Sequence, residues 1–433
     1  MPVFIACLPN FHIPEQYNIL WDCGTICIRH GTKDVTFWRN QMKILEEPVS
    51  RELTEKKELF LKHLLVKGEP VFFDIETTGL SWRNSHVYLI GVIFRKNGTW
   101  TFRQWFLNTP VEEDVCLQDF YQFLVNLDRE AGEHGKSLFL VHFNGDTFDI
   151  PYLRNKLRFY RIGPQPGSDG SFSFPSLDLY RCARPLKRIF LLDSLRQKNV
   201  ESFLGAERED VCDGGELIPV YQQYLRTGDS STERILLLHN HDDVTGLLQI
   251  LPILAYDVLF RQEPEYFRVS SLCGPDSENN VENPDAVFLK GKLALPVPAG
   301  FQAESDLAVF SAEGSSFLLK IPTYQGELKL FFSDYKNYYY LPVEDQAIHK
   351  SVAVYVDPEH REKAKASNCY QRVSGLFLPE PEELFSPAFR TGFHEHPLWF
   401  RPDGEFGKNS EKLSEYASAL TARCLAAGGT FGT

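Results

Sequence analysis

Three short segments of the chain carry acids and imidazoles at spacings that could do chemistry together. The first is Asp74-Ile75-Glu76-Thr77-Thr78-Gly79-Leu80, which follows the apolar run Val71-Phe72-Phe73. Residues i and i+2 of a strand point to one face, so Asp74 and Glu76 project together from the end of a buried strand. Two carboxylates this close repel, and one is driven toward its neutral form unless a cation sits between them. The second segment is His142-Phe143-Asn144-Gly145-Asp146-Thr147-Phe148-Asp149-Ile150-Pro151. It leaves a strand and opens a helix, and taken alone Asp149 reads there first as an N-cap. The third is His239-Asn240-His241-Asp242-Asp243-Val244, set between Leu236-Leu237-Leu238 and Gly246-Leu247-Leu248. Charged groups inside so apolar a helix are costly unless paired or bound to metal. His239 and Asp243 share a helical face, whereas His241 and Asp242 point elsewhere; the plain alternative is a His–Asp pair on a half-buried helix. Gathered into one cleft, Asp74, Glu76, Asp149 and Asp243 would carry a charge of about −4 and would not hold together without cations. All-oxygen ligands favour two Mg²⁺ or Mn²⁺ over zinc. Two such ions ~3.5–4 Å apart can activate a water and stabilise the leaving oxygen of an in-line phosphoryl displacement.

Those residues need a scaffold, and the surrounding pattern supplies one. Residues 50–66 read as a helix through Leu53, Leu59, Leu61, Leu64 and Leu65, ended by Gly68-Glu69-Pro70. Residues 71–73, 87–94 and 99–107 read as strands, and Asn97-Gly98 joins the last two as a hairpin. Residues 111–127 have helical periodicity and 138–143 read as a further strand. A helix starts near Asp149, with Pro151 in its first turn, where a missing N–H costs little. Ser194 reads as the N-cap of a helix ending at Gly205, and a long helix covers about 231–250. The order β-β-β-α-β-α, then helices, specifies an α/β domain with a mixed sheet covered by helices. Residues 269–286 are polar and turn-rich and read as linker. Beyond them, strands are expected at 307–310, 316–321, 328–332, 338–341 and 352–356, then an amphipathic helix over 409–427. The expected division is an N-terminal extension (1–67), the α/β domain (68–256), a linker (257–286), a β-rich region (287–400) and a helical tail (401–433).

Asp74-x-Glu76-Thr77-Thr78-Gly79, Asn144-Gly145-x-x-Phe148-Asp149 and His239-Asn240-x-x-Asp243 resemble, in order, the three motifs of the DEDD superfamily of 3′–5′ exonucleases. Within it, the chain looks like a group of predicted bacterial ribonuclease H-like exonucleases, similar to the proofreading domains of family B DNA polymerases. Asp178-Leu179, residues 200–205, Arg208 and residues 215–219 fit that group as well. The likeness covers about residues 68–256, and Asp-Ile-Glu-Thr-Thr-Gly is its sharpest part. It implies a ribonuclease H-like fold in which Asp74, Glu76, Asp149 and Asp243 hold two ions. It also implies that Thr77, Thr78, Gly79 and Leu80 line the pocket for the terminal nucleotide, bordered by Asn144 and Phe148. In the tyrosine-type branch of the superfamily, a Tyr four residues before the last Asp orients the attacking water; that position here is His239. In the histidine-type branch the His lies one residue earlier, at the position of Leu238. The chain thus keeps the tyrosine-type spacing with a histidine, which leaves the base assignment open. Neutral imidazole, with an ordinary pKa of ~6.5, is a reasonable base near pH 7.

The implied substrate is a single-stranded 3′ end of DNA or RNA, and charge bears on it. The 433 residues carry a net charge of −13, which makes the chain a poor general polyanion binder. Residues 151–200, however, hold ten Lys/Arg and three Asp, a local +7. Arg154 and Arg158 there suit phosphates, and Tyr152, Phe159 and Tyr160 interleave with the cations as stacking surfaces would; a solvated helical face is the alternative. The aromatic run Tyr335–Tyr340 reads as strand core. Nine Cys without a leader read as reduced thiols, and Cys23 and Cys27 lack partners at zinc spacing. No apolar stretch reaches the ~18 residues of a membrane helix, and the N-terminus has no basic region of a signal peptide, so a cytoplasmic protein with no membrane partner is expected. The sequence names no protein partner. Two rival functions remain: a structure-specific endonuclease on the same fold, and a catalytically idle nucleic-acid-binding or scaffold protein.

Overall fold

The computed structural model describes residues 18–22, 25–30, 33–38, 42–163, 172–206, 214–274 and 285–427. Three short strands, β1 (Asn18–Asp22), β2 (Thr25–His30) and β3 (Lys33–Trp38), form an antiparallel sheet of their own. Then come β4 (Lys43–Pro48), α1 (Arg51–Lys56), α2 (Glu58–Lys67), β5 (Glu69–Thr77), β6 (Val87–Lys96), β7 (Thr99–Phe106), α3 (Glu113–Glu133), β8 (Leu138–His142), α4 (Asp149–Phe159) and β9 (Ser176–Asp178). Helices α5 (Leu179–Ile189), α6 (Gln197–Phe203), α7 (Gly214–Thr227), α8 (Ser230–Gln249) and α9 (Leu254–Phe260) complete this half. Six of its strands make one mixed sheet in the order β4-β7-β6-β5-β8-β9. The β4–β7–β6–β5 pairs are antiparallel, and β8 and β9 continue in parallel. This is the mixed, helix-covered sheet expected of a ribonuclease H-like domain. Asn97 (φ +51°) and Gly98 (φ +82°) make the left-handed turn of the expected hairpin.

The two faces of the sheet have separate cores, and the pleat of β5 decides what each receives. Val71, Phe73 and Ile75 pack with Cys116, Leu117, Phe120 and Leu124 of α3 and with Ile150, Leu153 and Leu157 of α4. Phe72 packs on the other face, with Val244, Leu247 and Leu248 of α8. Asp74 and Glu76 follow Phe72 at i+2 and i+4, so they emerge on the α8 face. Helix α8 can approach because β6 offers Gly91 there: a Cβ at Gly91 would meet Asn240 Cγ and Val244 Cγ2, both at 2.9 Å.

The C-terminal half comprises β10 (Phe267–Cys273), β11 (Ala286–Glu304), β12 (Val309–Pro322), β13 (Tyr324–Phe331), β14 (Tyr338–Leu341), β15 (Gln346–His349), α10 (Lys350–Ala353), β16 (Glu362–Lys363), β17 (Tyr370–Glu380), β18 (Leu398–Phe400) and α11 (Ser410–Ala427). It forms three small sheets, β10-β11-β12, β13-β17-β18 and β15-β14-β16. The β-rich reading holds, with several corrections. The stretch expected as linker is structured where it is described, since α9 runs to Phe260 and β10 pairs with β11; residues 275–284 lie outside the described set. Strand β11 escaped the pattern because prolines and glycines interrupt it; the register shifts on either side of Val297 absorb them. Residues 350–353 are a helical turn rather than part of a strand. Residues 50–66 form two helices that meet at Lys57 instead of one. Arg196, not Ser194, caps α6; Ser194 Oγ accepts the Arg196 N–H at 3.3 Å. Arg208 lies outside the described residues. As expected of core, Tyr338 stacks on Phe332 at 4.8 Å and Tyr340 packs against the Ala347–Cys369 cluster.

One apolar core runs from α2, α8 and α9 into β10–β12 and α11, where Leu413, Tyr416, Leu420 and Cys424 are buried. The C-terminal helix is therefore core on one side instead of a free tail. Contrary to the sequence expectation, Ser230–Phe260 is long and apolar enough to cross a membrane by length and composition, but 72 % of its most apolar window is buried inside the protein, as in a core helix.

The close approach at Gly91 yields a test. Gly91→Ala forces Asn240 and Val244 outward, and overpacking of this kind costs about 1–3 kcal/mol. A lowered Tm with unchanged far-ultraviolet circular dichroism is expected; an unchanged Tm would refute the tight α8–β6 contact.

Candidate active site

Four acids from three segments meet at the end of β5. Asp74 and Glu76 stand on its α8 face, and the facing turns of α8 bring His239 and Asp243. His239 Nε2 lies 3.4 Å from Glu76 Oε1 and 3.2 Å from Asp243 Oδ2. One ligand atom from each of these three residues falls within 4.8 Å of the other two. Asp149 arrives from the sheet edge as the first residue of α4, and Phe148, not Asp149, occupies the N-cap position. Burial pushes the Asp149 carboxyl up to about 7, opposed by backbone hydrogen bonds at Asp149 and Ile75 and reinforced by Asp178 and Asp243. Asp149 thus reaches the backbone residue that separates Asp74 from Glu76. Asp74 is held well above the carboxylate range by burial and by repulsion from Asp149, Asp243 and Glu76, with a hydrogen bond from Asn240 opposing. Asp74 therefore feels the other three acids, and Asp149 and Asp243 feel each other.

Uncharged amides hold this repulsive group in place. Asn240 Nδ2 donates to Asp74 Oδ2 at 3.2 Å. Its own Oδ1 accepts from Gln104 Nε2 at 2.9 Å, and Gln104 also reaches Leu237 O at 3.0 Å. The Gln104 bond fixes which way the Asn240 amide faces. Tyr88, stacked on Tyr221 at 4.2 Å, backs the site; burial and the nearby Glu76 raise its hydroxyl well above the usual tyrosine range. His241 points away, edge-on to Phe102 at 4.8 Å and 3.6 Å from Glu47, as the helical spacing requires.

The loop between β8 and α4 is pinned by a second cluster. Asp178 Oδ1 accepts the Asn144 N–H at 2.7 Å and the Tyr180 N–H at 3.0 Å. Asn144 takes a left-handed conformation, φ +62°. His142 Nδ1 accepts the Gly145 N–H at 3.0 Å, and Arg181 pairs with Asp146 at 2.9 Å. His142, Asp146 and Asp178 are close enough to hold an ion. His142 Nδ1 and Asp178 Oδ1 are taken up by backbone N–H groups of the loop and Asp146 by Arg181, while His142 Nε2 is buried without a hydrogen-bond partner, 3.4 Å from Asp146; the bonds that are made anchor the loop that carries Asp149.

The loop after β5 is pinned as firmly. Ser85 Oγ bonds Gly79 O (2.8 Å), Ser81 O (2.7 Å) and the Tyr152 hydroxyl (2.7 Å). Lys156, 3 % exposed, donates to Ser85 O at 2.5 Å and to Glu113 Oε2 at 2.9 Å. Burial pushes Glu113 upward, but bonds from His86, Lys156 and Tyr160 hold it below the usual range. Removing one partner of so buried a pair typically costs ~3–5 kcal/mol.

The remaining sequence-predicted residues fall around this centre. Thr77 Oγ1 donates to Gly79 O and Thr78 Oγ1 accepts the His86 N–H, so both hydroxyls shape the loop. Leu80 projects at its tip, 87 % exposed. Asn144 is exposed, and Phe148 is half-buried against Tyr152 at 5.5 Å. Arg154 and Arg158 lie on the exposed face of α4. The basic stretch is thinner than its composition suggests, because Lys156 is buried and Arg181 is paired; Tyr152 is buried too, so only Phe159 of the supposed stacking trio stands well exposed. Sequence reasoning assigned no role to Asn240, Gln104 or Gly91. A glycine and an amide at buried positions of neighbouring strands were the available signals.

A family model described as the RNase_H superfamily (RNase_H_2) matches residues 71–255. No curated protein matches the chain. Among solved structures, product-bound exonuclease I is 12 % identical and covers 52 % of this chain and 58 % of its own, with a TM-score of 0.30. The zinc-bound E. coli ExoI–ssDNA complex is 14 % identical, with 52 % and 54 % covered and a TM-score of 0.26. E. coli exonuclease I with a 5cy-dT13 oligonucleotide is 13 % identical, with 57 % and 55 % covered and a TM-score of 0.25. The chain thus spans little more than half the length of these proteins. Residues 71–255 carry an RNase H-like fold, and its acid cluster has the oxygen donors that divalent cations require.

Raised acids make metal-free stability pH-dependent. A carboxyl whose folded pKa exceeds its unfolded value stabilises the fold at low pH and loses that contribution as pH rises through the folded pKa. For Asp149 the loss spans the interval from ~4 to about 7. Glu380, pushed by burial to about 7, has the same sign, so the measurement is a difference. In EDTA, Asp149→Asn should raise Tm at pH 8 and leave it nearly unchanged at pH 4. It should also shrink the stabilisation that Mn²⁺ gives the wild type. A variant less stable than wild type at pH 8 in EDTA would refute the repulsive arrangement.

Proposed function

We infer that this chain, whose residues 71–255 form an RNase_H-superfamily domain, is a metal-dependent hydrolase removing nucleotides from the 3′ ends of single-stranded DNA or RNA. The observation that carries this reading is the convergence of Asp74, Glu76, Asp149 and Asp243, from β5, α4 and α8, at the end of β5, with Asp74 facing the other three acids. Such a group invites cations, and these four carboxylates would hold two Mg²⁺ or Mn²⁺. When bound, the pair supplies positive charge and Lewis acidity for phosphodiester hydrolysis.

The chain's own residues supply the rest. Asn240 and Gln104 keep Asp74 oriented. His239 Nε2, which faces Glu76 and Asp243, would orient the attacking water and hold its proton. The backbone of Thr77, Thr78, Gly79 and Leu80 would line the terminal nucleotide's pocket, Asn144 and Phe148 would border it, and Arg154 and Arg158 would meet phosphates. The pinned loop beside the acids supports a pocket made for a chain end.

A 5′-labelled single strand with Mg²⁺ or Mn²⁺ tests the reading. A ladder shortening from the 3′ end is expected, abolished by EDTA and by Asp74→Ala/Glu76→Ala, the variant's fold being checked by its melting curve. Cutting of a circular single strand would favour an endonuclease, and no cutting of either would leave a binding protein. His239→Ala should lower the rate about 10²–10⁴-fold with metal binding retained. His241→Ala should change it little, and equal effects would refute the assignment of His239.

A further inference from the structure

Beyond the acid pocket, the loop between β5 and β6 and the far end of α4 together raise an exposed ridge. Phe159 is 64 % exposed, although it is a large apolar side chain at the end of a helix whose other aromatics are packed. Trp82, from the loop, meets it edge-on at 6.5 Å. The Arg83 guanidinium lies over the Trp82 ring, 4.6 Å from its centroid. An open aromatic face beside a guanidinium plane is a surface on which an unpaired base can stack.

Two further observations narrow the partner. Arg83 lies over Trp82 itself, and Arg154 and Arg158 are exposed on the helix that carries Phe159; in a chain of net charge −13, none of the three forms an ion pair among the described residues. The ridge is also rigid, because Ser85, three residues from Trp82, is tied to Gly79, Ser81, Tyr152 and Lys156. A preorganised aromatic surface beside unpaired guanidinium groups suits an unpaired base with its phosphate. Phe159 sits ten residues along α4 from Asp149, about 15 Å at the helical rise. The ridge is therefore too far away to hold the nucleotide in the acid pocket.

We propose that Trp82, Arg83 and Phe159 form a base-stacking site for nucleotides upstream of the terminal one, which restricts the ligand to single-stranded nucleic acid several nucleotides long. This deepens the nuclease reading and rests on it for the strand's direction, but not for binding itself. A base would lie on the guanidinium plane of Arg83, itself backed by Trp82, or on the open face of Phe159. Arg154 and Arg158 would meet the phosphates.

Fluorescence anisotropy with a 5′-fluorescein single-stranded 12-mer, in EDTA so that nothing is cut, tests the site. Trp82→Ala and Phe159→Ala should each raise Kd about 5- to 100-fold. Trp82→Phe should restore most of the affinity, and melting curves check the fold of each variant. Binding of a blunt duplex, whose bases are already stacked, should change far less. In Mn²⁺, the loss of turnover on the 12-mer should exceed any loss on thymidine 5′-(p-nitrophenyl phosphate), which is too short to reach the ridge. A single-strand Kd within twofold of wild type in both alanine variants would overturn the proposal, as would equal weakening of duplex and single strand. The two readings fail separately. A wild type that binds the 12-mer through Trp82 but cuts nothing would sink the nuclease and keep the ridge. A wild type that cuts normally while both alanine variants bind normally would do the reverse.

Discussion

Repulsion among four carboxylates sets the terms for the rest of the structure. Asp74, Glu76, Asp149 and Asp243 are each tolerable alone. Brought together in a partly dry pocket, they oppose folding unless protons or cations neutralise them. The fold therefore spends much of its precision on holding them. Asn240 and Gln104 orient Asp74 without adding charge, since a lysine there would cancel the field that attracts a cation. Asp178, His142 and Arg181 pin the loop before Asp149, and Lys156 and Glu113 pin the loop after Glu76. Charged pairs are used one layer out, where their neutrality does not quench the centre.

The pairing of β5 with β6 and α8 explains why this layer works. Gly91 removes the side chain that would hold α8 away from the sheet, so a polar amide of the helix reaches a strand carboxylate directly. A helix seated this deeply keeps His239 buried and its partners within about one hydrogen-bond length, so it needs no loop to deliver them. Three segments distant in sequence can then meet, since each belongs to a regular element: the end of β5, the first turn of α4 and the middle of α8.

Much of the domain was legible from residue types. The period-2 and 3.6 patterns marked β5, β6, β7 and β8 and the helices α3, α4 and α8, because each buries one well-defined face or is buried throughout; β4, inside the expected N-terminal extension, and the three-residue β9 were not marked, and only pairing adds them to the sheet. The i, i+2 and i, i+4 spacings located Asp74 with Glu76 and His239 with Asp243, because side-chain direction follows backbone geometry. Longer-range facts were hidden. Nothing local says that Gln104 faces Asn240, or that Lys156 turns inward among neighbours that stay outside. Strand β11 was missed since its prolines sit at register shifts, which only the pairing with β12 reveals. The supposed linker was polar in composition yet contains β10, whose partner lies beyond the polar stretch.

Helix α8 also belongs to two structures at once. Its middle turns bear His239 and Asp243; the turns that follow lend Val244, Leu247 and Leu248 to the apolar core that continues into β10–β12 and α11. It acts as a shared beam between the acid pocket and the β-rich half. A molecule that gripped that distant half and strained its packing would pull on the same beam, and the tilt of the pocket would register the pull.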